Sequence, residues 1–318
     1  MSPRLVLLSL LFFQSAAAFA QRAEIPIREV DQPSGQRRFA LTMSIDGKAV
    51  EVALDTGSSG LRVLAPHVSP EQQAAGGHSS SYGYESGALF KGQILKMPIA
   101  LGAVTGSVDV MRVDAIACRE GKPNCPMKGA DVATFGIMGN DVPGQGWPAI
   151  FGVQMNRIDI DNPLEGLGIK RWIIVLPRSA GETGKLILNP DDGELAQYKR
   201  FELDERGLFS ACLIAADNAN RKICAPGQFD SGAPGIHIIG GDPPKLQDWP
   251  RGSDVLLVLG DQRSTAAIKV TLGRRDQAAN LSIEPGPPKQ RLAFGIAPYM
   301  AWSVLYDAQR HEIGVAPR

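Results

Sequence analysis

Two turns of the same make, far apart in the chain, limit its architecture more than any other element of the sequence. In "VEVALDTGSSGLRVL", Val50 to Leu64, an apolar run ends at the carboxylate of Asp55 and passes into a turn of small residues. In "FDSGAPG", Phe229 to Gly235, Asp230 stands in the same setting. The first half continues to "GIMG", Gly136 to Gly139, and the second to "LAFGIA", Leu292 to Ala297. In each half, then, a strand delivers Asp-(Thr/Ser)-Gly and an apolar-apolar-Gly segment follows. One such tripeptide is ordinary turn chemistry, since Asp, Ser and Gly supply positive φ and short side-chain hydrogen bonds. Two in matched order read as a duplicated half.

Elsewhere, short stretches alternate apolar and polar residues, as in "FALTMSIDGKAVEVAL", "GKLILNP", "FSACLIAADN" and "DVLLVLGDQ", with Gly, Pro, Asn and Asp between them. This period of two predicts a mostly β protein. Asp46-Gly47 marks a hairpin in "SIDGKAVEV". A helix is predicted around "NPLEGLGIKRW", with Asn162 as cap, Pro163 at the first helical position and Glu165 at the third. No period of 20 to 50 residues appears, which excludes solenoids and propellers. The first twenty residues, "MSPRLVLLSLLFFQSAAAFA", carry Arg4, an apolar core and an Ala18-Phe19-Ala20 ending, the pattern of a secretory signal. The remaining chain, about 300 residues from Gln21, suits two lobes better than one core.

Lys plus Arg and Asp plus Glu balance at 33 each, so no long-range field points to nucleic acid or an anionic membrane. After removal of the leader, no stretch reaches the length of a membrane helix, and no stable membrane insertion is expected. Four cysteines fall into two local pairs, Cys118 with Cys125 and Cys212 with Cys224. In an exported chain, in the periplasm or secreted, these predict two short-loop disulfides. Neither pair has metal-site spacing and the four histidines are scattered, so neither metal nor cofactor is expected. No G-x-S-x-G elbow, P-loop or H-E-x-x-H motif occurs.

Two carboxylates held against each other cannot both ionise cheaply, so they share a proton and become an acid and a base together. Such a pair can take a proton from water while donating one to an amide carbonyl oxygen. Gly57 and Gly232 allow close approach of the backbone and offer N–H groups to Asp55 and Asp230. Thr56 and Ser231 offer hydroxyls that can bond across to the opposite loop.

These motifs resemble those of the pepsin-like, bilobal aspartic peptidases. "VEVALDTGSSGLRV" is similar to that family's first active-site strand and turn. "RLAFGIAPYMAWSVLYDAQRHEIGVAP" resembles its C-terminal signature, and "GETGKLILNPDDGELAQYKRFELDERGLFSACLIAADN" the opening of its second lobe; the likeness runs from about Glu24 to Pro317. It implies a signal segment at 1–20, an N-terminal β lobe over 21–170, a C-terminal β lobe over 171–318 and a cleft between the lobes. Asp55 and Asp230 match the catalytic pair, Thr56 and Ser231 the bracing hydroxyls, and Ser58 an outer donor to the first carboxylate. "SSYGYESGALFKGQI" resembles the flap hairpin over the substrate, with Tyr82 and Gly83 as its functional residues and Tyr84 as the rival tyrosine.

Three departures from that pattern stand out. Arg62 replaces a tryptophan that usually orients the flap tyrosine. Ala233 replaces the outer hydroxyl of the second turn, and Pro234 follows it. Asp55 lies so near the expected mature start that no separate inhibitory prosegment is expected. The resemblance implies an exported, monomeric endopeptidase acting on a peptide or protein substrate. The competing class is a binding or inhibitor protein that keeps the fold without turnover.

Overall fold

The computed structural model describes residues 22–318, apart from 33–34, 140–141, 143, 157–159, 243 and 262–263. The expected leader at 1–20 lies outside the described residues. The protein is mostly β, and its described residues form one sheet of thirteen strands and one of seven. Asp46 and Gly47 both take positive φ and close the predicted hairpin, so that Ile45 faces Lys48 between the strands Arg37–Ile45 and Lys48–Asp55. Asn162 caps a helix as predicted, its side chain accepting the Leu164 N–H at 2.9 Å. That helix, Pro163–Gly166, is a single turn, because it already ends on a glycine and Gly168 reverses the backbone at φ +80° just beyond.

The duplication read in the sequence reappears as strand order. In the large sheet the strand Lys48–Asp55 is followed by Ala149–Val153, then Ser59–Leu64, then Val104–Cys118. In the small sheet Asn218–Gln228 is followed by Arg291–Ala293, then Ile236–Ile239, then Leu281–Glu284. Both sets pair parallel, antiparallel, parallel in that order. Each Asp-bearing turn therefore leaves one strand and enters another with a third, much later strand lodged between them.

That lodged strand corrects one expectation. Asp55 is in register with Gly152, so the partner of the first turn is Ile150-Phe151-Gly152 and not Gly136–Gly139. The equivalent contact in the second half is made by Leu292 to Gly295, where the Asp230 N–H donates to Gly295 O at 3.3 Å. Both first-half candidates are apolar-apolar-Gly, and periodicity cannot rank two short apolar runs. Burial does: Ala149–Val153 is buried throughout, as is Ser59–Leu64 beside it. Gly136–Gly139 instead forms an isolated bridge, Ile137 to Trp147, with Met138 held at φ +60°.

The two expected halves are also joined by pairing. The strand Ala23–Asp31 pairs through its first part with Gly184–Leu188 and through its second with Arg37–Ile45. A nine-residue strand is long enough to serve two neighbours, and this one ties the segments on either side of residue 170 into one sheet. The disulfides Cys118–Cys125 and Cys212–Cys224 are both formed, the second between directly opposed residues of a hairpin. Among the described residues no helix is long and apolar enough to cross a membrane.

Candidate active site

Asp55 ends its strand and is 4 % exposed. Its Oδ1 accepts the Gly57 N–H at 2.8 Å and its Oδ2 accepts the Ser58 hydroxyl at 2.5 Å. Asp230 has one such donor, the Gly232 N–H on Oδ1 at 2.9 Å, because Ala233 has no hydroxyl to offer where Ser58 does. Among the described residues Asp55 thus accepts two of these hydrogen bonds and Asp230 one, and a donated hydrogen bond stabilises a charged carboxylate.

The two turns lie against each other. A Cβ added to Gly57 would sit 2.3 Å from Cγ of Asp230, and one added to Gly232 would sit 2.7 Å from Oδ1 of Asp55. Each glycine thus fills the space beside the opposite carboxyl group, where any larger residue would push the pair apart. Thr56 and Ser231 lock the approach: the Thr56 N–H donates to Ser231 Oγ at 3.0 Å, and the Ser231 N–H to Thr56 Oγ1 at 2.9 Å. Each hydroxyl then donates to the carbonyl one residue before the opposing aspartate, Thr56 to Phe229 and Ser231 to Leu54.

Burial raises the pKa of Asp230 to about 7, helped by the charge of the adjacent Asp55 carboxylate. Two carboxyl groups held this close can share a proton, which is what an acid and base pair needs. Among the described residues no group of three or more His, Cys, Asp or Glu is arranged to hold a metal ion.

The hairpin of His78–Gly83 and Ala88–Leu101 brings Tyr82 to the same region. The Arg62 guanidinium lies over the Tyr82 ring, 3.5 Å from its centroid, in cation–π contact. Arg62 is fully buried and donates to Ser59 O at 2.8 Å. It therefore occupies the place beside Tyr82 by stacking. Gly83 follows Tyr82 at the exposed end of the strand, against the Arg119 side chain. Tyr84 turns instead into a cluster of rings, 4.8 Å from Tyr82 and 5.1 Å from Phe90. The hairpin tip is tied to the other sheet by an ion pair between Glu85 and Arg291.

Sequence reasoning did not single out four residues that meet the site. Tyr299 donates to Thr56 Oγ1 at 3.0 Å and shares a 2.5 Å hydrogen bond with Tyr306, so a buried tyrosine pair supports the loop from beneath. Both fall inside the quoted C-terminal signature, Tyr299 in the short helix Ala297–Ala301 and Tyr306 on the strand Trp302–Asp307, where two hydroxylated rings among apolar residues were the available signal. Met138 brings its Cε to 3.0 Å from the position of a Cβ on Gly232. Arg38 donates to Gly232 O, and the sequence marks it only as one of a charged pair before a strand.

No protein-family model matches the chain, and no curated protein is similar to it at a significant level.

Proposed function

We propose that this chain is an aspartic endopeptidase of the pepsin-like kind, exported to the periplasm or the extracellular space, cutting peptides in a cleft between two β lobes. The observation that carries this reading is the reciprocal seating of Asp55 and Asp230, each against the other turn's glycine and braced through Thr56 and Ser231. A water placed between them loses a proton to the Asp55 carboxylate as its oxygen attacks the peptide carbonyl carbon. The Asp230 carboxyl gives its proton to the carbonyl oxygen, and a neutral tetrahedral diol results. On collapse the Asp55 carboxyl gives its proton to the leaving nitrogen as the C–N bond breaks, a diol hydroxyl returns its proton to Asp230, and no bond to the protein forms at any step. Tyr82 and Gly83 cover the bound peptide. Beside the second turn a groove of about 440 Å³, lined in part by Gln36, Pro234 and His237, leaves room for a substrate side chain.

The assay is incubation of the purified protein with a diverse peptide mixture from pH 3 to 7, with and without a statine-type inhibitor. Internal cleavage that the inhibitor stops, and that Asp55→Asn and Asp230→Asn each abolish while circular dichroism stays unchanged, is the expected result. Cleavage that survives in either variant overturns the mechanism. Binding of the inhibitor without any cleavage at all supports the second reading, a binding protein, which the single donor on Asp230 favours.

A further inference from the structure

Arg38 is a buried cation bonded to the turn that carries Asp230. It lies on the strand Arg37–Ile45 and is 8 % exposed. Its Nη1 donates to the carbonyl of Gly232, its Nη2 donates to Gln36 Oε1 at 2.9 Å, and its Nε has no partner among the described residues. The neighbouring Arg37 is different, forming a two-bonded pair with Glu29. A guanidinium removed from water without a counter-charge is very costly, and it keeps its proton at any working pH. Burial pulls the pKa of Arg38 down, and the charges that act against this are those of Asp230 and then Asp55. Gly232 is also the residue packed against Oδ1 of Asp55, so the Arg38 fork ends one residue from both carboxyl groups.

We infer that Arg38 is a positioning and charge-balancing residue of the pair. It holds the Gly232 carbonyl, and so steadies the turn that lacks a hydroxyl at Ala233. Its charge favours the singly ionised pair over the neutral one. The inference rests on the shared-proton reading of Asp55 and Asp230, not on turnover.

Other charged or titratable groups face the same pair. Arg62 reaches in from the strand Ser59–Leu64 and is engaged with Tyr82. Tyr82, Tyr299 and Tyr306 are raised in pKa by burial and stay neutral through the working range. His237, on Ile236–Ile239, bonds Glu284 at 2.6 Å, and its positive charge favours the ionised form of Asp230. Arg38 is the cation among them that touches the second turn itself.

The test is the titration of the aspartate carboxyl groups by NMR in the full chain carrying 13C-labelled Asp, for the wild type, Arg38→Met and Arg38→Gln. Replacing the cation is expected to move the first ionisation of the pair up by about one pH unit, the scale of one nearby charge at protein dielectric. Gln keeps a donor for Gly232 O without the charge, and it carries the measurement if Met does not fold. Arg38→Lys is expected to restore most of the shift. Where hydrolysis is measurable, both limbs of the kcat/KM profile move up in pH with it. An ionisation that stays in place in a folded Met or Gln variant overturns the inference. A shifted ionisation in a protein that cleaves nothing leaves the inference standing and removes the proposed peptidase activity instead.

Discussion

Thr56 and Ser231, 175 residues apart, hold one another through mirrored hydrogen bonds, each N–H donating to the other's side-chain oxygen. Both residues are 1 % exposed, so water cannot readily replace a lost partner. Ser231→Ala leaves the Thr56 N–H and the Leu54 carbonyl unpaired. At about 1–3 kcal/mol for each buried group left unsatisfied, a loss of about 2–6 kcal/mol is expected in urea unfolding. Ser231→Thr keeps the hydroxyl and is expected to stay near wild type. A Ser231→Ala protein of unchanged stability would show that the ring of bonds is not holding the turns together.

Gly57→Ala is expected to remove turnover without unfolding the chain. Its Cβ would meet all three atoms of the Asp230 carboxyl group within 2.5 Å, and that group cannot retreat without straining its bond to the Gly232 N–H. A displacement of about 1 Å at reacting groups costs on the order of 100-fold in rate. Gly232→Ala is milder, with its nearest contact at 2.7 Å. The measurement is kcat beside a melting curve for both variants. The reverse order of severity would mean that the turns do not meet as described.

The raised pKa of Asp230 has a definite sign in stability. Its ordinary value is 3.8 and its folded value about 7, so across that interval the native state binds the extra proton. Stability from this group is present below about pH 4 and is lost as pH rises through about 7. Asp230→Asn cannot lose it, so the variant should gain on the wild type between pH 4 and 7 in parallel urea titrations. A constant difference across the range would place the shared proton elsewhere.

A hydroxyl donor on Asp230 should act in the opposite sense on activity. Ala233→Thr offers the second turn what Ser58 gives the first, and a donated hydrogen bond stabilises the charged carboxylate. The kcat/KM profile is expected to move to lower pH. Pro234 restrains the same loop, so a crystal structure of the variant should accompany the profile to verify that the hydroxyl reaches Asp230. A reached carboxyl group with an unmoved profile would separate Ala233 from the acidity of the site.

Tyr82 and Tyr84 should part company under mutation. Tyr84 is partly buried and packed between Tyr82 and Phe90, so Tyr84→Ala is expected to cost about 2 kcal/mol of stability, less than for a fully buried ring. Tyr82, under the Arg62 guanidinium, should cost turnover more than stability when replaced by Ala. Arg62→Ala should lower kcat/KM in the same direction by freeing the Tyr82 ring. Loss of turnover confined to Tyr84→Ala would transfer the covering role to that residue.

Much of the fold was legible because it depends on neighbours in sequence. Asp46-Gly47 closes a hairpin since both residues tolerate positive φ, and Asn162 caps a helix since its oxygen reaches an N–H two residues on. The cysteine pairs were legible for the same reason, being 7 and 12 residues apart. The choice of Gly136–Gly139 as the first half's repeat failed because two apolar-glycine segments compete there, and their composition does not tell which becomes the central strand.

Sequence by itself determined the two Asp-(Thr/Ser)-Gly turns, the strands that deliver them and their hydroxyl and glycine chemistry, all of which follow from backbone preference over a few residues. Tertiary structure alone decided that Ile150-Phe151-Gly152 lodges beside Asp55, that Tyr299 and Tyr306 support Thr56, and that Arg38 turns inward to Gly232 while Arg37 pairs with Glu29. Those outcomes depend on which faces of distant strands pack together. A side chain's burial and its electrostatic partners are properties of that packing, and alternation along one strand cannot say whether an arginine on it will meet water or a carboxylate.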